Sequence, residues 1–194
     1  MISEERFSLD NYMVRKKVIK IIGASFHIYN SNEEVVFYVN QKGFKLKEDI
    51  KVFTGEDMTQ ELLSIRARNV IDISAIYDVF DTETGEKLGS LRRKGLKSIL
   101  KDEWLILDAN ENEVGNIQED SMALALVRRF LTNLVPQTFI GTFKNQKVFE
   151  FKQRFNIFVQ KIDLDFTSDN GKIFDRRLGI AAAVLLCAIE GRQN

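Results

Sequence analysis

The sequence predicts a mainly β fold: a closed antiparallel barrel of about twelve strands around a buried C-terminal hydrophobic helix, plus one helix near the middle of the chain. Three observations predict it. Apolar and polar residues alternate along short runs such as Leu63-Ser64-Ile65-Arg66-Ala67-Arg68, as in half-buried strands. Strand motifs recur at an offset of 51 or 52 residues: Ile28-Tyr29-Asn30 with Val79-Phe80-Asp81, Lys42-Gly43-Phe44-Lys45 with Lys94-Gly95-Leu96-Lys97, and Leu63-Ser64-Ile65 with Gly115-Asn116-Ile117. Finally, Leu178 to Ile189 is twelve residues without a polar side chain.

The elements follow in order. Val35-Val36-Phe37-Tyr38-Val39 is β-branched or aromatic, as strands prefer. Alternation returns in Val148-Phe149-Glu150-Phe151-Lys152 and in Ile162-Asp163-Leu164-Asp165-Phe166. Turn residues separate the runs at 30–32, 81–85, 110–112 and 168–171. The repeats cover about 26–70 and 77–121, and each reads strand, turn, strand, Lys-Gly, strand, turn, strand. Residues 138–166 offer a shorter third set of strands. A meander of this kind can close on itself and so remove exposed sheet edges.

Two segments break the strand pattern. Residues 121–135 carry Met122, Leu126, Phe130 and Leu134 at helical spacing, with Ser121 as N-cap and Pro136 at the exit. Residues 173–190 form the second helix. Its apolar stretch of twelve residues is about 18 Å long as a helix, short of the roughly 30 Å of a bilayer core. A helix apolar on all sides is buried within protein, and small residues such as Gly179, Ala181, Ala182, Ala183 and Ala188 suit the inside of a barrel. One domain over 1–194 is expected.

This layout resembles the superfamily of the tubby C-terminal domain, the phospholipid scramblases and the plant LURP-one-related proteins. The stretches that carry it run from Tyr77-Asp78-Val79-Phe80-Asp81 to Glu119-Asp120-Ser121, and from Asp175 to Glu190. The resemblance implies a barrel of roughly twelve strands threaded by a C-terminal hydrophobic helix. It also implies functional possibilities that differ by branch: phosphoinositide binding for tubby-type domains, calcium and lipid movement for scramblases. Many small members have no assigned activity, and fold alone does not carry function. No phosphoinositide-site residue of tubby matches this chain position by position.

Composition narrows the chemistry. The 194 residues hold 28 Lys plus Arg against 28 Asp plus Glu, which argues against a general nucleic-acid binder. One Cys and one His exclude a disulfide framework and a Cys/His zinc site. No P-loop, dinucleotide fingerprint or nucleophile elbow occurs. His27 lies among Phe26, Ile28 and Tyr29 on a strand and reads as structural; Cys187 lies in the buried helix, where a thiol is inert. No cofactor is expected. Asp163, Asp165 and Asp169 are the candidate metal ligands, but the twelve-residue calcium loop needs Gly at its sixth place and an acid at its twelfth. Starting at Asp163 those places hold Ser168 and Phe174, so no metal is expected.

Charge is unevenly spread. Residues 102–120 hold seven acids and no base, whereas 128–161 hold seven bases and one acid. The candidate contacts for anionic lipid or another anion are Arg92, Arg93, Lys94 and Lys97 at one strand end, with Arg128 and Arg129 on the middle helix. The sequence therefore reads as a non-enzymatic binding or scaffold module, with an anionic phospholipid surface as candidate partner. The alternatives are a scramblase-like lipid-translocating protein and an enzyme whose site is not visible in sequence. An acidic N-terminal stretch without an apolar signal segment, together with the lone thiol, sets the expectation of a cytoplasmic protein, peripheral where it meets membranes and without a stable membrane span.

Overall fold

Successive side chains of a strand point to opposite faces, so the apolar half of each alternating run must find a common interior. The computed structural model, which describes residues 3–17, 24–41, 49–68, 75–94, 103–120, 137–154 and 159–190, places that interior inside a closed barrel of twelve antiparallel strands. These are β1 (Asn11–Lys17), β2 (Ala24–Tyr29), β3 (Val35–Gln41), β4 (Ile50–Phe53), β5 (Glu61–Ala67), β6 (Ile76–Asp81), β7 (Lys87–Arg93), β8 (Glu103–Leu107), β9 (Glu113–Glu119), β10 (Thr138–Phe143), β11 (Gln146–Arg154) and β12 (Val159–Asp165). A short helix α1 (Ser3–Phe7) precedes them and α2 (Arg176–Glu190) follows. Each strand pairs with its sequence neighbour, and β1 closes the ring on β12. The first repeat holds β2 to β5, the second β6 to β9, and the shorter set β10 to β12. The twelfth strand, β1, had no sequence signal of its own. The helix expected over 121–135 lies outside the described residues.

A finer period underlies the repeat. In five hairpins the register slips by one residue on the second strand. Ile28 pairs with Phe37 but Tyr29 with Val35, so Val36 is skipped. The same slip passes over Leu62 in β5, Leu88 in β7, Val114 in β9 and Val148 in β11. The first four skipped residues, Val36, Leu62, Leu88 and Val114, are spaced 26 apart, half the offset of the longer motif. Each such bulge bends its strand and increases local twist, which a sheet needs in order to close. It also lets two consecutive apolar residues reach the core: Val36 and Phe37, Leu62 and Leu63, Val148 and Phe149 are all buried. Positive-φ residues sit in the matching turns, at Glu33, Met58, Gly85, Glu111 and Asn145.

α2 occupies the lumen. Every residue from Leu178 to Ala188 for which a side chain is described is buried. The helix touches β1 and β12 on one side and β7 on the other, and β7 lies half-way round the ring from β1. Gly179 permits the approach of Phe166, whose ring carbon lies 2.6 Å from where a Cβ would stand. Phe149, Phe151, Phe166 and Phe174 form a ring cluster beside it. Asp175 caps the helix: its carboxylate accepts the N–H of Arg177 at 3.0 Å. At the other end Lys16 of β1, which shares the inward face with Tyr12 and Val14, donates to the Cys187 carbonyl at 3.0 Å. That places a cation at the negative end of the helix dipole.

The helix starts at Arg176 rather than at Ile173. Ile173 is 44% exposed, in a turn organised by Asp169. The buried Asp169 carboxylate accepts the N–H of Ile173 at 3.0 Å and of Phe174 at 3.2 Å. The acid uses its lone pairs on the loop that precedes the helix, and Asp175 then begins the helix.

The lumen sets a direct test. Ala182→Arg buries an unpaired charge at a cost of several kcal/mol, so soluble, cooperatively unfolding protein should not be obtained. Ile173→Arg, three residues before the helix, should fold with a near-native melting temperature. Circular dichroism melts of the purified variants check both outcomes.

Candidate functional site

The end of the barrel where α2 begins carries a cavity of about 650 Å³. Its walls come from α1, from β5 through Leu62, from the β6–β7 turn and from residues 172–177. The N-terminal segment is fastened over it by side chains that reach the barrel. Arg6 donates to the carbonyls of Val36 at 2.6 Å and Thr54 at 3.1 Å. Phe7 stacks on Phe37 with centroids 4.7 Å apart. The Tyr12 hydroxyl donates to the Arg6 carbonyl at 2.7 Å and accepts from the Leu9 N–H at 3.2 Å. Burial pushes that hydroxyl well above the usual phenol range, so it stays a donor.

The two arginines of this mouth are already matched. The buried Arg176 donates to the carbonyls of Ser8 at 2.6 Å and Leu9 at 2.5 Å, pairs with Asp10 at 2.7 Å, and lies over the Phe166 ring. Arg177 pairs with Asp175 and with Asp81, both at 2.6 Å. The Asp175 hydrogen bonds hold the Arg177 guanidinium above its ordinary value. These two arginines stand at the positive end of the α2 dipole, where cations are unfavourable, and the carboxylates offset this. The two arginines thus form a self-neutralised ion cluster above an aromatic floor of Phe7 and Phe174.

A second ion cluster lies on the outer wall. Arg68 donates from Nη2 to Asp78 at 2.5 Å and to Glu111 at 2.7 Å. Lys87 pairs with Asp78 at 3.1 Å and also with Glu111, and Ser90 Oγ donates to Asp78 at 2.7 Å. Burial pushes the Asp78 carboxyl up, but hydrogen bonds from Arg68, Ser90 and Lys87 outweigh it and bring it down to about 2. Hydrogen bonds from Arg68 and then Lys87 bring Glu111 down to about 2 as well. This network ties β5, β6, β7 and the β8–β9 turn together.

The residues singled out in the sequence are dispersed. Alternation from the inward Leu91 puts Arg93 on the inner face, opposite Trp104, and Arg92 and Lys94 on the outer face. Lys94 pairs with Glu103 at 2.6 Å. Lys97, Arg128 and Arg129 lie outside the described residues. Asp163 pairs with Arg154 at 2.5 Å, Asp165 accepts the Thr167 N–H at 2.7 Å, and Asp169 is spent on its loop. The three acids therefore serve three separate partners. His27 faces outward between Tyr29 and Tyr38 and pairs with Glu56. Cys187 is buried in the lumen.

Sequence reading missed the mouth. Arg176 and its partner Asp10 are 166 positions apart, and Arg177 and Asp81 are 96 apart. The available signal was two arginines opening an otherwise apolar helix, at the helix end that disfavours them.

Comparison with known proteins identifies one similarity. The LURP-one-related family model matches residues 11–99, which run from the start of β1 to just past β7. No curated protein and no solved structure matches the chain. The matched segment and the twelve-stranded barrel together support the superfamily resemblance read from the repeats.

The outer network makes stability depend on acidity. Folded carboxyls held at about 2 contribute stability that is complete above the ordinary carboxylate value near 4 and is lost as pH falls toward 2. The melting temperature should therefore decline across that window. In Arg68→Gln the decline should be shallower, with a lower melting temperature at pH 7. Thermal melts from pH 7 to pH 2 check this.

Proposed function

We propose that the protein is a non-enzymatic binding module that engages anionic lipid headgroups peripherally, by electrostatics, from the cytoplasmic side. The supporting observation is the burial of α2 from Leu178 to Ala188. Its fifteen residues make about 22 Å of helix, against roughly 30 Å of bilayer core. Withdrawing it would empty the lumen. Among the described residues no helix is long and apolar enough to cross a membrane. Scramblase-like use of this helix as an anchor would thus cost the whole core, and contact with lipid falls to the outer surface.

The proposed contacts are Arg92 and Lys94 on the outer face, with Lys97, Arg128 and Arg129 from outside the described residues; Arg93, turned to the inner face, is not among them. Lys94 is shared with Glu103, so Arg92 carries more of the contact than Lys94. Each Lys or Arg near an anionic surface contributes about 1 kcal/mol. The enzyme alternative finds less support. His27 faces out from β2 and Cys187 faces the lumen, so the barrel wall separates the residues a thiol–imidazole mechanism would need.

Co-sedimentation with vesicles tests the reading. Binding to phosphatidylserine vesicles should exceed binding to phosphatidylcholine vesicles. It should fall as salt rises and the screening length shortens from about 10 Å at 0.1 M to about 3 Å at 1 M. Arg92→Gln with Lys94→Gln should weaken it severalfold. Equal, salt-insensitive binding to both vesicle types would point instead to an apolar anchor, and binding to neither would remove the headgroup reading.

A further inference from the structure

The mouth cavity carries an excess of negative charge. Arg176 pairs with Asp10, and Arg177 is shared by Asp81 and Asp175. Three carboxylates thus neutralise two arginines and leave one negative charge over. The remaining charged side chains of the wall are Glu4, Glu83 and Lys172. In all, five carboxylates stand against three bases. The positive end of the α2 dipole amounts to about half a charge, too little to reverse the sign. Asp81 also accepts the N–H groups of Glu83 at 2.9 Å and Thr84 at 3.1 Å, which holds the β6–β7 turn, and Glu83 with it, in place.

Two further features narrow what such a cavity can hold. Its apolar part is largely aromatic: Phe7 is half-buried and stacked on Phe37, and the buried Leu62 and Phe174 complete the floor. Ring faces attract cations as well as apolar groups. The acids, moreover, are spread around the wall. Among the described residues no three carboxylates come close enough together to hold a metal ion. A dispersed negative field above an aromatic floor suits an extended organic cation and repels a carboxylate or a phosphate. At about 650 Å³ the cavity has the size of a small-molecule site.

We propose that the barrel mouth binds a small organic ammonium ion with an apolar body. The body rests on Phe7, and the ammonium turns to the carboxylates of the rim, Glu4 and Glu83 foremost because both are exposed. The site lies at the opposite end of β7 from Arg92 and Lys94: the β6–β7 turn forms part of its wall, and β7 runs from Lys87 away from that turn to Arg93. It shares no residue with the lipid contacts proposed above and does not rest on them. Lys172 is the base that opposes the ligand. It is exposed and forms no ion pair among the described residues, so its charge can be changed without breaking a salt bridge.

Phenethylammonium is the probe, and phenylacetate, similar in size and opposite in charge, is its control. The backbone N–H resonances of Glu83, Thr84 and Arg177 report occupancy. At pH 7 phenethylammonium should shift them saturably, and phenylacetate should bind about tenfold more weakly. Methylammonium, which lacks the apolar body, should also bind more weakly than phenethylammonium. Lys172→Glu turns a positive rim charge negative and should tighten phenethylammonium binding severalfold, whereas Glu83→Gln should loosen it severalfold. The absence of a saturable shift in the wild-type protein with phenethylammonium would overturn the proposal. Phenylacetate binding as tightly as phenethylammonium would overturn the choice of a cation, and so would an unchanged affinity in Lys172→Glu.

Discussion

The structure depends on one constraint: a helix with no polar face has to be surrounded. From Leu178 to Ile189 no side chain can meet water favourably, and packing against one neighbour would leave the far side bare. A closed ring of strands covers every side at once. That requirement accounts for much of what surrounds α2. The strands must close, so bulges recur hairpin by hairpin to bend them. The helix must be thin, so Gly179 and the alanines at 181–183 occupy the crowded levels. Its ends must be satisfied inside the protein, so Asp175 caps one end and Lys16 reaches the other. Arg176 then binds the N-terminal segment to the same helix end through Ser8, Leu9 and Asp10. Removing Arg176 would leave the Ser8 and Leu9 carbonyls and the Asp10 carboxylate without their donor, so the mouth and the helix are coupled.

The fold was legible because two kinds of periodicity survive in the residues themselves. Alternation marks the strands, and the motif offset marks their grouping. The finer 26-residue step was hidden, since its only common property is an apolar residue at Val36, Leu62, Leu88 and Val114, and any strand offers such a residue. β1 was hidden for a different reason. In Asn11–Lys17 only Tyr12 and Val14 are apolar and inward, and the inward Lys16 breaks the pattern because it serves the helix terminus. Its strand character comes from closing the ring, which is a property of the whole chain.

Charge was legible as composition and illegible as geometry. Arg92-Arg93-Lys94 is one cluster in sequence, yet a strand sends its neighbours to opposite faces, and Arg93 parts from the other two. Asp163 and Asp165 share a face, as their spacing implies, but each is claimed by a different partner. Conversely, Arg15 and Lys161 are 146 positions apart in the chain and become neighbours only because β1 closes the barrel on β12. No local pattern could announce that pair. The mouth arginines follow the same rule, since their partners come from the two ends and the middle of the chain.

A filled barrel also decides where binding can occur. In barrels that hold ligands inside, affinity is built from luminal side chains; here those side chains are committed to α2. What remains is the mouth, whose arginines are already paired, and the wall, where a ligand can bind without reordering the core. On that wall most charges are matched across strands, as in the network of Arg68, Asp78, Lys87 and Glu111. Matched rows contribute to stability and present little net field to a ligand. An unmatched pair does the reverse: it destabilises the free protein and gains when a counter-ion arrives. Because α2 and its surrounding apolar side chains hold the barrel closed, the fold tolerates a like-charged pair such as Arg15 and Lys161 on its seam.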